Sequence, residues 1–187
     1  MENIFLGIGS NMGKRVQFLS KAVLRLMNLP STLLVKISSV YETEPVGVKN
    51  QGDFLNAVVW LATSRDVNTF YADIKAIERE IGKQKRVRWG PREIDIDILL
   101  YGRTVVAEGP LIIPHREMEK RNFVLIPLGE IAPAVVHPVR EVPIRTLMHE
   151  SLDTARVTYS AHMTEELRAL IGYLTKSDIP AVETIKE

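Results

Sequence analysis

Apolar positions along the chain follow two periods, and the switches between them mark the elements. Residues 4–9 are short, apolar and glycine-bounded, which predicts a strand. Over residues 14–27, Val16, Leu19, Val23 and Leu26 recur at the spacing of one amphipathic helical stripe, and Pro30 stops it. Residues 33–43 are rich in β-formers and end at Glu44-Pro45. Residues 46–52 hold two glycines and an asparagine and read as a loop, and residues 54–63 as a second long strand. Helical spacing returns over 66–81 through Phe70, Ile74, Ile77 and Ile81, with Gly82 placed to end the helix. A basic loop over 83–92 runs into a strand at 94–101. Over 111–121 the periodicity is weak, and Pro114 and the charges favour loop. Residues 123–131 predict a short helix in spite of Pro127, and 163–174 a final one.

The order β-α-β-β-α-β suits an α+β sandwich of the ferredoxin-like kind, a mainly antiparallel sheet with helices packed on it. Residues 1–150 make up the expected functional domain. Residues 151–187 are a C-terminal extension of unknown role, a packed helix and then a flexible tail.

Composition narrows the function classes. The 187 residues are 45% hydrophobic and 25% charged, which excludes intrinsic disorder. With 24 basic and 23 acidic side chains the net charge is +1, so the whole molecule has no pull towards nucleic acid or membrane. The absence of cysteine excludes disulfides, thiolate zinc sites and a cysteine nucleophile. No apolar run approaches a membrane span, and a cytoplasmic location is the expectation. A monomer is expected, with a dimer as the alternative.

The sharpest chemical feature is Arg92-Glu93-Ile94-Asp95-Ile96-Asp97-Ile98. On a strand the isoleucines enter a core while Asp95 and Asp97 share the opposite face, roughly 6.5–7 Å apart. Two such carboxylates either hold hard divalent cations together with phosphate oxygens and water, or form a solvated polar face. The preceding loop carries Lys83, Lys85, Arg86, Arg88 and Arg92 with no acid between them. Acids for a metal beside bases for oxygens point to a metal-bound polyphosphate, against the alternatives of a solvated charge run or a nucleic-acid patch. Trp89 in this loop is a lid, a stacking group or a core residue. Phe54 and Asn56 share a strand face, an aromatic plane beside an amide, which suits either a flat heterocycle or ordinary core packing. His115 and Arg121 are candidates for phosphate contacts. The glycines of Gly7-Ile8-Gly9-Ser10-Asn11-Met12-Gly13 have neither dinucleotide nor P-loop spacing, and they read as a turn between strand and helix.

Several ordered blocks carry a further signal. They are Gly7-Ile8-Gly9-Ser10-Asn11, Ser38-Ser39-Val40-Tyr41-Glu42-Thr43-Glu44-Pro45, Asp53-Phe54-Leu55-Asn56-Ala57 and the run from Arg88 to Leu99. Pro114-His115, Arg121-Asn122-Phe123-Val124-Leu125, Pro127-Leu128 and Glu130-Ile131-Ala132-Pro133 follow in order. In these blocks the sequence resembles the 6-hydroxymethyl-7,8-dihydropterin pyrophosphokinase family of folate biosynthesis, from residue 4 to about residue 138.

The resemblance implies a ferredoxin-like fold and transfer of the pyrophosphoryl group of ATP to the pterin hydroxymethyl oxygen, releasing AMP. It implies two Mg²⁺ ions on Asp95 and Asp97, and a catalytic set completed by Arg92 and Lys83. ATP would meet Glu78, Lys85, Trp89, Arg92, His115 and Arg121, with adenine near Ile98 and Ile112. The pterin would lie between Phe54 and Phe123, with Asn56 on its edge, Thr43, Glu44 and Val46 completing the pocket, and Trp89 closing over it. Lys83 stands where the family usually has arginine, and Pro110 and Arg116 also depart from close relatives. The stretch after about residue 150 has no counterpart in the shortest members. Two other classes remain open: an RNA-binding ferredoxin-like module, and a metal-dependent transferase acting on a nucleotide-sugar.

Overall fold

The computed structural model describes residues 1–45, 47, 50–84 and 90–178, with side chains through residue 172. Strand β1 (Glu2–Ser10) and helix α1 (Arg15–Met27) come first. Two short strands follow, β2 (Thr32–Ile37) and β3 (Tyr41–Thr43), and then the long β4 (Phe54–Thr63). Helix α2 (Val67–Ile81) and strand β5 (Asp95–Tyr101) lead to a hairpin of β6 (Val106–Glu108) and β7 (Leu111–Ile113). Helices α3 (Asn122–Ile131) and α4 (Ile144–Glu150), strand β8 (Val157–Tyr159) and helix α5 (Ala161–Asp178) complete the chain.

The main sheet is antiparallel throughout, in the order β5-β1-β4-β3-β8. Strand β2 lies on the same side of β4 as β3, further along it. The β-rich run over 33–43 is therefore two strands. The interruption has a local cause: the Ser38 hydroxyl accepts the Val58 N–H at 2.9 Å and donates to the Ser39 carbonyl at 2.7 Å, replacing ladder partners. The weakly periodic 111–121 stretch holds β7 and a 3₁₀ turn at Met118–Lys120, elements too short to show a period. Helix α4 and strand β8 were unexpected for the same reason.

Each face of the sheet has its own core. Ile4, Leu6 and Ile8 of β1, with Ile96 and Ile98 of β5, pack under Leu19, Val23, Phe70 and Ile74 of α1 and α2. Leu167 and Ile171 of α5 enter the same core, and α5 packs along α1. The ends of α2 follow their sequence signals. Asp66 accepts the Thr69 N–H at 2.9 Å, and Gly82 closes the helix at φ 109°, a conformation glycine adopts without strain.

On the opposite face, Phe5, Val58 and Leu100 pack under Leu125 and Leu128 of α3 and Ile144 and Leu147 of α4. The isoleucine alternation of β5 holds to Ile98 and then breaks. A bulge pairs Phe5 with Leu100 and Leu6 with Ile98, so Leu99 and Leu100 both join the second core. Tyr101 returns to the first core, its ring 6.0 Å from that of Phe70. Helices α3 and α4 cover part of this second face, and the rest carries the cleft described next.

Leu167, 1% exposed, tests how far α5 belongs to this fold. Leu167→Ala should lower stability by about 2–5 kcal/mol in urea titration, the usual cost of a buried leucine cavity. A loss under about 1 kcal/mol would show α5 detached from the core in solution.

Candidate active site

The cleft floor follows from strand register. Asp95 pairs with Gly9, Gly9 with Asn56 and Asn56 with Tyr41, a row running across four strands. In a neighbouring row Asp97 pairs with Gly7 and Gly7 with Val58. Two glycines of β1 thus separate the acids of β5 from the polar end of β4. Both lie inside β1 instead of in the turn that their spacing suggested. Gly9 is required by close approach, since a Cβ there would sit 2.7 Å from Asn56 Oδ1. At ~4.8 Å per strand, Asp95 and Asn56 lie about 10 Å apart, enough for a flat ring system between them.

Above this floor is a cleft of about 750 Å³, part of it open to solvent. Phe54 and Phe123 contribute aromatic walls from β4 and α3, and Thr43 and Glu44 line the side next to β3. Asn56 Nδ2 donates to Thr43 Oγ1 at 2.7 Å, which orients the amide. A second space of about 830 Å³, likewise part open to solvent, lies beyond β5, bounded by Tyr71 and Lys75 of α2, Ile98, Ile112 and Arg116. Asp97 and His115 line both spaces, so the two meet there.

The acids are unequally paired. Asp95 accepts from Lys83 Nζ and from the Arg92 guanidinium, each at 2.6 Å. Burial opposes its charge, but these two cations hold its carboxyl below the usual range. Behind it the buried Glu78 accepts from Lys83 at 2.7 Å, Lys75 at 2.9 Å and the Ile96 N–H at 2.8 Å. Asp97 has no hydrogen bond or ion pair among the described residues. Burial first, then the charge of Asp95, pushes its carboxyl up to about 6. His115 is pushed the other way, down to about 4, by burial and then by the charge of Arg121. Its Nδ1 accepts the Glu117 N–H at 3.3 Å, which leaves the proton of the neutral ring on Nε2.

This arrangement occurs in a chain that matches the family model of 7,8-dihydro-6-hydroxymethylpterin-pyrophosphokinase (HPPK) over residues 5–133, more than half its length. The chain belongs to the HPPK family. It is 42% identical over 151 residues to the 2-amino-4-hydroxy-6-hydroxymethyldihydropteridine pyrophosphokinase of Aquifex aeolicus, covering 81% of this chain and 93% of the relative. The Bacillus subtilis enzyme of the same name is 43% identical over 136 residues, 72% of this chain and 81% of the relative. Among solved structures, Plasmodium falciparum HPPK-DHPS with pterin and p-hydroxybenzoate superposes with a TM-score of 0.64 at 17% identity. That match covers 80% of this chain and 43% of the longer fused one, and it shows a shared fold.

Against the HPPK resemblance, the structure brings Thr43, Glu44, Phe54, Asn56, Phe123, Arg92, Asp95, Asp97 and His115 to one cleft. Ile98 and Ile112 lie in the second space. Lys83 and Glu78 stand behind β5 as an ion-paired support and do not line either cleft. The Arg121 guanidinium lies 5.6 Å from the centre of the Phe123 ring. Val46, Lys85 and Trp89 fall outside the described residues.

Sequence reasoning gave Asn11 no role, yet its amide joins two loops. Oδ1 accepts the Arg92 N–H at 2.8 Å, while Nδ2 donates to Gln51 Oε1 at 3.0 Å and the Gly52 carbonyl at 3.1 Å. Arg15, which carries no sequence signal for a role here, donates to the Asp53 carbonyl at 2.7 Å and to Glu42 at 2.8 Å. Lys75, the third cation of the acid network, had no signal beyond helical spacing from Glu78.

The His115 shift yields a pH prediction. In heteronuclear NMR its imidazole should stay neutral until pH falls to about 4. Between the ordinary value of 6.5 and about 4, the unfolded chain binds a proton that the folded chain does not, so stability falls as pH drops through that window. His115→Gln should flatten that part of the pH–stability curve. An imidazole titrating near 6.5 in the folded protein would contradict the burial argument.

Proposed function

We propose that the first cleft takes the pterin and the second takes ATP, with transfer occurring where they meet at Asp97 and His115. The activity is transfer of the pyrophosphoryl group of ATP to the hydroxyl of 6-hydroxymethyl-7,8-dihydropterin, giving AMP and the pterin diphosphate, a step of folate biosynthesis. One observation carries the assignment of the clefts: two spaces of different character share an acidic junction. A two-substrate displacement needs the acceptor and the phosphorus in line, and adjoining clefts supply that alignment.

In the first cleft, Phe54 and Phe123 hold the faces of the heterocycle and Asn56 reads its edge, steadied by Thr43. In the second, Ile98 and Ile112 give adenine an apolar seat, and Lys75 and Arg116 border the polyphosphate. His115 donates from Nε2 to a phosphate oxygen without adding a charge.

The carboxylate pair fits Mg²⁺. The Asp97 carboxylate is buried enough for desolvation to raise its pKa, carries the same charge as its neighbour Asp95 and has no hydrogen-bond donor among the described residues. Among the described residues no cluster of three or more metal-ligating side chains occurs, so water and phosphate oxygens would complete the shell. Two Mg²⁺ ions on Asp95 and Asp97 would supply charge neutralisation at the polyphosphate. Lys83 and Arg92, which hold Asp95 in the free protein, then turn their charge towards the phosphate oxygens and the departing AMP. Lysine at position 83 acts there as a mobile point charge where arginine would make a planar fork. Asn11 keeps Arg92 and the loop before Phe54 in register during this exchange.

Both clefts are built by one chain, which supports a functional monomer. The ATP requirement supports a cytoplasmic location, and no helix among the described residues is long and apolar enough to cross a membrane.

Two variants test the assignment. Asp97→Asn should keep the fold, because the residue faces a cleft and not a core, yet lose several kcal/mol of transition-state stabilisation. AMP release measured at saturating Mg²⁺ and ATP reads this directly, and unchanged turnover would refute the metal role. Asn56→Ala should weaken pterin binding by about 1–3 kcal/mol in calorimetry, the scale of a lost buried hydrogen bond, with ATP affinity nearly intact. Equal loss for both ligands would indicate a disturbed strand instead.

A further inference from the structure

Residues 153–160 bond, one after another, to the chain neighbours of both aromatic walls of the first cleft, Asn122 beside Phe123 and Asp53 beside Phe54, and to strand β3, and they lie beyond the stretch matched by the family model, which ends at residue 133. We propose that this segment is a positioning strap for the heterocycle cleft, with Asp153 its principal residue. The proposal rests on the assignment of that cleft to the pterin.

Helix α3 begins at Asn122, one residue before Phe123. The first N–H groups of a helix have no acceptor within it, and a serine, threonine or aspartate at the cap position normally supplies one. Here the cap position is Arg121, which makes no side-chain cap bond. Asp153 does that work from 31 positions away: its Oδ2 accepts the Asn122 N–H at 2.7 Å, and its carbonyl accepts from Asn122 Nδ2 at 2.7 Å. A carboxylate at this end also opposes the positive pole of the helix. Asp153 is itself held in place, with Oδ1 accepting the Ala155 N–H at 2.9 Å and its own N–H donating to Ser151 Oγ at 3.3 Å.

The strap then crosses to the other wall. The Arg156 N–H donates to Glu44 Oε1 at 3.1 Å, and the guanidinium donates to Asp53 Oδ2 at 2.9 Å, next to Phe54. The Arg156 side chain is 65% exposed, so its ion pair is weak and salt-screened, and the assignment places the weight on Asp153. Val157, Thr158 and Tyr159 pair with Thr43, Glu42 and Tyr41, and the Ser160 N–H bonds the Val40 carbonyl at 3.0 Å. Beyond that, Leu167 and Ile171 anchor α5 in the core.

Phe54 and Phe123 belong to elements that share no ladder, so their separation depends on how α3 is tied to the sheet. Its far end is tied by Glu130, which accepts from the Ser39 N–H, the Ser39 hydroxyl and Tyr41. Its near end, where Phe123 sits, is tied by Asp153.

The test uses the full chain saturated with Mg²⁺ and a non-cleavable ATP analogue, with 6-hydroxymethyl-7,8-dihydropterin titrated by calorimetry. Asp153→Ala should raise the pterin Kd roughly tenfold, as for a lost charge-assisted bond, and leave the ATP-analogue Kd within about twofold. Asp153→Asn keeps an acceptor at the same place and should recover most of the loss. Phe70→Leu, in the core on the opposite face of the sheet and 0% exposed, serves as the stability control: it should lower the melting temperature at least as much as Asp153→Ala without changing the pterin Kd. If Asp153→Ala binds pterin like the parent, or if Phe70→Leu weakens pterin equally, the strap is overturned. If the parent chain binds no pterin at all, the assignment of the cleft falls, and the strap falls with it.

Discussion

Three carboxylates and three cations crowd into the region around β5, and the balance between them conditions the rest of the site. Glu78 and Asp95 take up Lys75, Lys83 and Arg92 at hydrogen-bond distance, and Asp97 is left over. A buried carboxylate beside another cannot ionise freely, which is why Asp97 is held near 6. The free protein therefore keeps its basic groups on its own acids. In the proposed function, a substrate bringing both phosphate and metal would satisfy both halves at once, with metal on the acids and oxygens on the bases. The same network braces the sheet edge, because Glu78 also accepts the Ile96 N–H between the two aspartates.

The sheet can host such a charged site because its second face is divided. Towards one end Phe5, Val58 and Leu100 are dry under α3 and α4, and towards the other Gly7 and Gly9 leave a trough. The bulge at Leu99 lies at the boundary, turning two successive side chains of β5 into the second core just after the last aspartate. Apolar and ionic halves of one face are thus separated by a single unpaired residue.

Residues outside the clefts hold the parts in relation. Asn11 joins the backbone at Arg92 to the loop before β4, and Arg15 fastens the next turn of that loop to Glu42. The C-terminal segment fastens α3 to β3 from outside. The lining residues come from β1, β3, β4, β5 and α3 and from the loops that carry Glu44, Arg92 and His115, so their geometry is set by these ties as much as by the elements themselves.

Local periodicity was enough to recover the helices over Arg15–Met27 and Val67–Ile81 and the two central strands. It also put Asp95 with Asp97 and Phe54 with Asn56 on shared faces, because side-chain direction along a helix or strand is decided within a few residues. What depended on distant partners could not be read that way. The Leu99 bulge needs β1 as a neighbour, the value of Gly9 needs Asn56 across the ladder, and Asp153 acquires its role only when folding brings it to Asn122. The junction at Asp97 and His115 belongs to the same class: the two residues are 18 positions apart in sequence, and only the path of the chain through the β6–β7 hairpin and back to Leu99 makes them walls of the same two clefts. Periodicity encodes which way a side chain points; packing over the whole chain decides what it meets there.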